Sequence, residues 1–331
     1  MMIRLSILLV ALSLSIGTSR GQTLAAYAGE FLSIGAGARS LALGGAYTAL
    51  ASDASGSYWN PAALGLMTVT DVMLMHEERF AGLLNYDIAA AAIPSSESST
   101  LGISLLRLGV DGIPDSRNAH VDLNGNGELD AGELDHGRIT YFNAADWALF
   151  VSYGMKASDR LTYGFTAKVL RRSIAEFSAT GLGFDAGILY RPTDNILLGA
   201  TAQDVTTTFL AWSTGRTELI SPTLRTGAAV ILTTGSFRVI PTVECAIRAE
   251  NRGAISAISI GPVSLDPAAG VELEYNGTFA LRTGLSEVGA AAIGAGMKIR
   301  KLDIDYAYTG FKGTSELGSS HRISLRMRIE S

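Results

Sequence analysis

The chain has 331 residues, of which 47% are hydrophobic and only 17% charged, with 37 glycines and a formal net charge of −5. This composition is apolar for a water-soluble protein and excludes an intrinsically disordered chain. No cluster of lysine and arginine with interleaved aromatic residues is present, so we expect no nucleic-acid partner. The single cysteine, Cys245, can form no intramolecular disulfide and lacks a second thiol for a metal site.

The first residues have the pattern of an export signal. One basic residue, Arg4, precedes an apolar run at residues 5–16, and small residues follow. The run is too short for a transmembrane helix, which needs about 20 apolar residues. The sequence therefore predicts a signal peptide at residues 1–21 and an exported mature chain.

Much of the remaining chain alternates between apolar and polar residues. In HRISLRMRI, residues 321–329, every second side chain is apolar, and the same alternation occurs in residues 302–309, 278–286 and 161–169. A period of two predicts half-buried β-strands. A soluble β-sandwich and a membrane barrel both show this period, so the alternation alone leaves both folds open.

The lengths of the connections separate these two folds. The sequence predicts fourteen strands, at residues 68–76, 83–93, 99–109, 139–154, 161–171, 180–191, 195–204, 223–233, 237–250, 266–276, 278–286, 290–300, 302–309 and 321–330. The second, fourth, sixth, eighth, tenth and twelfth connections are short and rich in turn-forming residues. The long connections all belong to the other set, at 110–138, 205–222, 251–265 and 310–320, with 172–179 of intermediate length.

Alternating long and short connections are typical of outer-membrane barrels, whose closed sheet leaves no unpaired edge in the lipid. Residues 68–331 are therefore predicted to form an all-β fold, a transmembrane antiparallel β-barrel of about 14 strands. We expect it in the outer membrane of a Gram-negative-type bacterium, surrounded by outer-membrane lipid. The N- and C-termini and the short turns are expected to be periplasmic, and the long loops to lie outside the cell.

One of the long connections contains a calcium-type loop, DLNGNGELDAGE, at residues 122–133. The ligand positions of the template are filled by Asp122, Asn124, Asn126, the carbonyl of Glu128, Asp130 and Glu133, with Gly127 at the sharp turn. Gly109, Gly112 and Pro114 before the loop and Gly137 after it exclude flanking helices, so we expect a structural calcium ion rather than a sensor. The alternative is a glycine-rich turn that binds no metal, and the flanking His120 and His136 are expected in solvent.

Residues 22–67 lack the alternation and are rich in small residues. A dinucleotide site would need the spacing G-x-G-x-x-G after a strand, but Gly35 and Gly37 are followed by Ser40, and no strand precedes them. No organic cofactor is therefore expected.

Part of this segment resembles the amino-terminal signature of the PorV/PorQ family of outer-membrane proteins, which is related to the FadL-type fatty-acid transporters. The matching elements are Gly37-Ala38-Arg39, Gly44-Gly45, Asp53-Ala54-Ser55 and Trp59-Asn60-Pro61-Ala62. The resemblance implies a FadL-like barrel with residues 22–67 folded inside its lumen as a hatch. Asp53, Trp59, Asn60 and Pro61 would belong to the hatch motif, and small side chains suit such close packing.

No Ser/His/Asp, Cys/His or paired-carboxylate set has a catalytic spacing, so we do not expect an enzyme. The resemblance implies a component of the type IX secretion system, with secretion-system subunits and secreted cargo proteins as partners. The alternative is a FadL-like passive channel for hydrophobic small molecules, with the hatch as gate and an opening in the wall as exit. Secretion is favoured because the predicted lumen is charged, with Arg282, Asp303, Asp305, Arg326 and Arg328.

Overall fold

The computed structural model describes residues 29–80, 82–250, 256–310 and 319–329. The predicted signal peptide and the start of the predicted hatch, residues 22–28, lie outside the described residues. The described part of the chain contains strands β1 to β18, in order Thr70–Arg79, Leu84–Ser96, Ser99–Asp115, Thr140–Ser158, Leu161–Ile174, Phe177–Thr193, Ile196–Gln203, Thr208–Trp212, Thr217–Ile220, Thr223–Val230, Leu232–Thr234, Phe237–Arg248, Ile258–Ile260, Val263–Tyr275, Phe279–Leu285, Ala291–Ile299, Leu302–Gly310 and Ser319–Ile329. Its short helical segments are Glu30–Ser33, Ala38–Ala42, Gly56–Trp59, Pro61–Leu66 and His136–Arg138. Among the described residues, none of these helices has the length and apolar character needed to cross a bilayer.

Fourteen of these strands close into an antiparallel barrel. In order around the wall they are β1 to β7, β10, β12 and β14 to β18, and β18 pairs with β1. The closing ladder runs from Thr70 opposite Ile329 to Arg79 opposite Ser320 without a shift of register. Closure pairs the two edge strands of the sheet with each other. The predicted all-β, fourteen-strand barrel is thereby confirmed.

The connections between barrel strands depart from the prediction in several places. In the described part of segment 251–265, predicted as a loop, β13 pairs with β14, which already begins at Val263. The segment 172–179, predicted as a connection of intermediate length, is a tight turn because β5 and β6 extend to Ile174 and Phe177. The segment 205–222, predicted as a loop, contains the β8–β9 hairpin, and β8 continues the barrel wall by pairing with β6. All three departures lengthen the sheet at the end of the barrel that carries the long connections.

The outer face of the barrel carries a band of apolar side chains. On β6, the side chains of Leu182, Phe184, Ile188 and Tyr190 point outward and are exposed. The strand β15 shows the same arrangement, with its apolar residues outside and Arg282 buried inside. An apolar exterior around a polar interior is the reverse of a soluble protein and is the arrangement found in membrane barrels.

Residues 29–67, which we call the lumenal segment, lie inside the barrel. Most of the segment is buried, and it bonds inward-facing residues on several walls. The N–H of Ala38 donates to Ser324 on β18 at 3.1 Å, and Arg39 donates to Glu272 on β14 at 2.6 and 2.8 Å. The barrel is therefore a filled cylinder at this level rather than an open pore.

Glycines on the inner face of the wall allow the lumenal segment to fit. They occupy inward-facing positions on nine strands, at Gly102, Gly154, Gly164, Gly187, Gly199, Gly227, Gly270, Gly284 and Gly294. A Cβ atom on Gly154 would lie 2.7 Å from the carbonyl oxygen of Pro61, and one on Gly270 would lie 2.7 Å from that of Leu43. Such contacts are closer than carbon and oxygen atoms tolerate, so only glycine lets these two backbones approach.

This ring of glycines generates a prediction for Gly164, whose wall position faces the Pro61 backbone. Gly164→Val should destabilise the folded barrel by about 3 kcal/mol, because overpacking against backbone cannot be relieved by a rotamer change. The measurement is the temperature at which the protein in detergent loses its folded gel mobility. Ala167→Val on the same strand adds methyl groups toward the outside and is the control. Equal unfolding temperatures for the two variants would contradict the close fit.

Candidate functional site

Asn60 joins the lumenal segment to itself and to the wall. Its side chain is fully buried. The amide Nδ2 donates to the carbonyl oxygens of Thr48 and of Ile188 on β6, both at 3.1 Å. Its Oδ1 accepts from the N–H of Ala62 at 3.1 Å and caps the helix Pro61–Leu66, in which Pro61 holds the first position. Proline is favoured there because the first helical N–H has no intrahelical partner.

The other two residues of the predicted hatch motif also bond within the segment. The indole Nε1 of Trp59 donates to the carbonyl oxygen of Ala36 at 2.7 Å. The carboxylate of Asp53 accepts from the hydroxyl of Tyr47 at 2.8 Å and from the N–H of Ser55 at 2.9 Å. Asp53, Trp59 and Asn60 therefore bond separate parts of residues 29–67 to one another, and Pro61 begins the last helix of the segment.

The wall residues that hold the segment in place were not identified from the sequence. Glu244 on β12 accepts from the N–H groups of Tyr47 and Thr48 at 3.0 and 2.8 Å. Arg322 on β18 donates to the carbonyl oxygens of Gly35 and Gly37 at 3.1 and 3.3 Å. The alternation of polar residues in β12 and β18 predicts only that these side chains face inward. It does not reveal which backbone groups they meet.

The charged residues predicted to line the lumen are paired. Arg282 donates to Asp305 at 2.6 Å, Arg326 to Asp71 at 2.5 Å and Arg328 to Asp303 at 2.9 Å. Arg282 also shares Glu272 with Arg39 of the lumenal segment. These residues neutralise one another and fix the segment, so they do not present a row of free charges to a solute.

The lumenal segment lies between two cavities. The upper cavity, at the end of the barrel that carries the long connections, has a volume of about 400 Å³. Much of its lining is apolar, from Phe31, Ile34, Trp59, Phe80, Leu84, Leu108 and Val288. The lower cavity, of about 290 Å³ at the short-turn end, is lined mainly by charged residues that include Arg39 and Asp53. Of these two cavities among the described residues, the upper one offers the environment for an apolar molecule.

One side of the upper cavity is polar. Arg79, Ser320 and Thr309 lie in neighbouring register positions on β1, β18 and β17. The guanidinium Nε of Arg79 lies 3.2 Å from Glu77. The hydroxyl groups of Ser320 and Thr309 are buried and have no hydrogen-bond partner among the described residues. The cavity therefore combines a largely apolar lining with some charged side chains and with two hydroxyls that are buried beside it.

The calcium-type loop folds as a compact unit in the connection between β3 and β4. An isolated bridge between His120 and Leu134 closes its base. The two carboxylate oxygens of Asp122 accept from the N–H groups of Gly125 and Gly127 at 2.7 and 3.0 Å. The side chains of Asn124 and Asn126 donate to Asp130 at 2.7 and 2.9 Å. The predicted ligand residues are therefore turned toward one another.

Glu133 is buried at the centre of this loop. Its carboxylate accepts from the N–H groups of Asp130 and Leu123 at 3.0 and 2.9 Å, and these bonds hold its pKa below the usual value. The Asn124 and Asn126 amides likewise lower the pKa of Asp130. Contrary to expectation, His120 faces the loop, and one ligand atom each from His120, Asp122 and Glu133 lie within 4.8 Å of one another. The loop thus gathers ionised carboxylates, the ligands that calcium prefers.

Comparison of the fold identifies similar solved structures. The toluene transporter TbuX of Ralstonia pickettii superposes with a TM-score of 0.54 at 15% identity, covering 89% of this chain and 99% of that one. The toluene transporter TodX of Pseudomonas putida gives 0.54 at 13%, covering 89% and 97%. A FadL homologue of Pseudomonas aeruginosa gives 0.53 at 12%, covering 87% and 96%. The chain therefore has the fold of FadL-type outer-membrane barrels.

Sequence comparison is less informative. The model of an uncharacterised protein family, UPF0164, matches residues 9–95, which is less than half of the chain. No curated protein matches the sequence. The assignment to a FadL-like barrel thus rests on the fold, and the closer resemblance to the PorV/PorQ family stays a prediction.

Asn60 provides a test of the lumenal segment. In Asn60→Asp a carboxylate would face the carbonyl oxygens of Thr48 and Ile188, which need a donor. Burying a charge beside two acceptors should cost at least about 2 kcal/mol and release the segment. Thermal unfolding and protease cleavage within residues 29–67 measure the two effects. Asn195→Asp, the same change in an exposed turn, is the control, and similar behaviour of the two variants would refute the role of Asn60.

Proposed function

We propose that this protein is an outer-membrane channel through which hydrophobic small molecules cross passively, with residues 29–67 as its hatch. The carrying observation is the largely apolar upper cavity above the lumenal segment, in a fold shared with hydrocarbon transporters. The apolar band on the barrel exterior supports a membrane location. In this proposal the long loops face the outside, and the short turns and both termini face the periplasm.

The charge of the lumen no longer argues against such a channel. A fatty acid or hydrocarbon would be repelled by unpaired charges in a pore, because burying them without water is costly. Here the charged residues predicted to line the lumen are joined in ion pairs, mostly below or beside the segment. The molecule entering from the long-loop end meets Phe80, Leu84 and Leu108 first.

Passage beyond the upper cavity requires a change of structure. Each of the fourteen barrel strands pairs with both neighbours, and β1, β2 and β3 keep continuous register beside the cavity, so the described residues form no opening in the wall there. The segment fills the lumen below. We therefore expect binding in the cavity to precede a movement of part of the hatch.

Uptake measurements test this proposal. Cells of a Gram-negative host that lacks its own FadL-type channel would express the chain, and uptake of radiolabelled toluene and laurate would be measured. The chain should accelerate uptake of at least one of them. Ala268→Phe, which fills the upper cavity, should abolish the gain, whereas Ala269→Phe points outward and should retain it.

The paired hydroxyls refine the test. Thr309→Val combined with Ser320→Ala should slow laurate, which has a carboxylate, and leave toluene unchanged, since these hydroxyls can bond only a polar end. Uptake no faster than in cells without the chain, or equal uptake by Ala268→Phe and the original chain, would reject the channel.

Type IX secretion remains the second candidate. It rests on the resemblance of the stretch from Gly35 to Leu64 to the PorV/PorQ signature. The FadL-type neighbours support the channel better, because TbuX and TodX are transporters of toluene rather than of proteins. Co-purification of exported proteins or secretion subunits with the tagged chain would favour secretion.

We further propose that the loop at residues 122–133 binds one structural calcium ion. Asp122, Asn124, Asn126, the carbonyl of Glu128, Asp130 and Glu133 would supply oxygen ligands, as the template requires. The compact fold of the loop and its lowered carboxyl pKa values support this assignment. Binding would stiffen the connection between β3 and β4.

Removal of calcium should therefore loosen this loop. Chelation is expected to increase protease cleavage within residues 116–138, and calcium at about millimolar levels should restore resistance. Asp122→Ala combined with Glu133→Ala should be cleaved at any calcium concentration. Glu128→Ala is the matched control, because the template uses only its carbonyl. A response to calcium that survives in the double variant would eliminate the site.

A further inference from the structure

A groove crosses the outer face of the barrel beside β2. Its volume is about 390 Å³. The exposed side chain of Ala89 forms the floor, with Leu74 of β1 opposite it on one side and Leu105 of β3 on the other. A small residue between two leucines leaves a depression in the apolar band. Ile323 and Leu325 of β18 extend the depression along the wall.

The end of the groove nearer the long connections is charged. His76 Nδ1 lies 2.6 Å from Asp87, and His76 Nε2 lies 3.7 Å from Glu78. Arg107 occupies the register position opposite Asp87. Acidic and basic groups thus lie side by side on the outer face, next to apolar side chains.

Arg107 is held in a fixed position at this end. Its guanidinium lies over Gly109, where a Cβ would meet it at 2.7 Å, and over the ring of Trp147 at 5.8 Å from the centroid. The Nη2 atom donates to both carboxylate oxygens of Asp111 at 3.1 Å. Two sets of donors, on Nε and Nη1, remain for a further acceptor, since the guanidinium carries five N–H groups.

We propose that this groove binds a zwitterionic phospholipid that carries a primary ammonium group. The phosphate accepts from Arg107, the ammonium group donates to Asp87 and Glu78, and an acyl chain lies over Ala89 between Leu74 and Leu105. The partially exposed carboxylates of Asp87 and Glu78, with 44% and 62% of their side chains accessible, can receive such a donor.

The charge arrangement selects this headgroup. A purely anionic lipid would satisfy Arg107 but would be repelled by the two carboxylates, and a neutral lipid would form no ionic contact with any of these groups. A zwitterionic head presents both signs at the separation of a few bonds. Continuity of the groove with the apolar band places the tail where acyl chains already surround the barrel.

The inference depends on the proposed membrane location but not on transport through the lumen. If the barrel binds the lipid but transports no solute, the lipid proposal stands and the channel proposal fails. If the barrel transports toluene but retains no lipid, the lipid proposal fails and the channel proposal stands.

Native mass spectrometry of the detergent-solubilised full chain tests the proposal. The protein would be mixed separately with dioleoylphosphatidylethanolamine, dioleoylphosphatidylglycerol and dioleoylglycerol. One phosphatidylethanolamine molecule should remain bound per barrel, in preference to the other two lipids. Arg107→Gln should weaken retention roughly tenfold, as expected for the loss of a charge-assisted hydrogen bond. Arg171→Gln, an outward arginine on β5, is the control and should retain the lipid.

A second pair of variants tests the groove by changing the volume of one side chain. Ala89→Leu should fill the floor and expel the lipid, whereas Ala295→Leu enlarges another outward alanine, on β16, and should not. Three results would each overturn the proposal. They are equal retention of the lipid by all four variants, a preference for phosphatidylglycerol, and a dimer that only Ala89→Leu dissociates. The last result would assign the groove to a second copy of the chain.

Discussion

A chain segment without long helices or strands can be buried inside a barrel only if its backbone N–H and C=O groups find partners. In this protein the wall supplies them from side chains. Glu244 accepts from two consecutive N–H groups, Asp71 accepts from the N–H of Ala54, and Arg322 donates to several carbonyls of the segment. The polar interior of the barrel and the fold of residues 29–67 therefore depend on each other.

This dependence changes the meaning of the charged strands. Arginine and aspartate at alternate positions of β15, β17 and β18 resemble the lining of a water-filled pore when only the sequence is considered. In the folded chain they form ion pairs. Arg328 pairs with Asp303, and Arg282 shares Glu272 with Arg39 of the segment. Removing one partner of a buried pair leaves a charge without compensation. These residues therefore stabilise the packing of the lumenal segment against the wall.

The sequence was sufficient to predict the barrel but not to predict how the lumenal segment is held inside it. Strand number and the grouping of short turns follow from local signals, a period of two and turn-forming residues, which need no knowledge of distant parts of the chain. The β8–β9 hairpin was missed because its strands are only five and four residues long, too short for a period of two to be recognised. The partners of Asn60 and Tyr47 were missed because Ile188 and Glu244 lie more than a hundred residues away.

The inward glycines are a signal of the lumenal segment that the sequence itself contains. Gly154, Gly164 and Gly187 occupy one row across β4, β5 and β6, and each lies at a position whose strand neighbours alternate regularly. Glycine weakens a strand unless something approaches closely. A row of three on the inner face therefore indicates a buried backbone, although it does not say which one.

The bonds between the lumenal segment and β18 also constrain how the barrel assembles. Ala38 and Ser324 are separated by 286 positions in the chain. This hydrogen bond therefore joins one of the first described residues to be synthesised to one of the last. Contacts so distant in sequence form slowly because the intervening chain must first be ordered. The ring of glycines leaves no clearance for inserting the segment into a finished cylinder. We therefore expect the closure of β1 against β18 and the docking of the segment to occur together, late in folding.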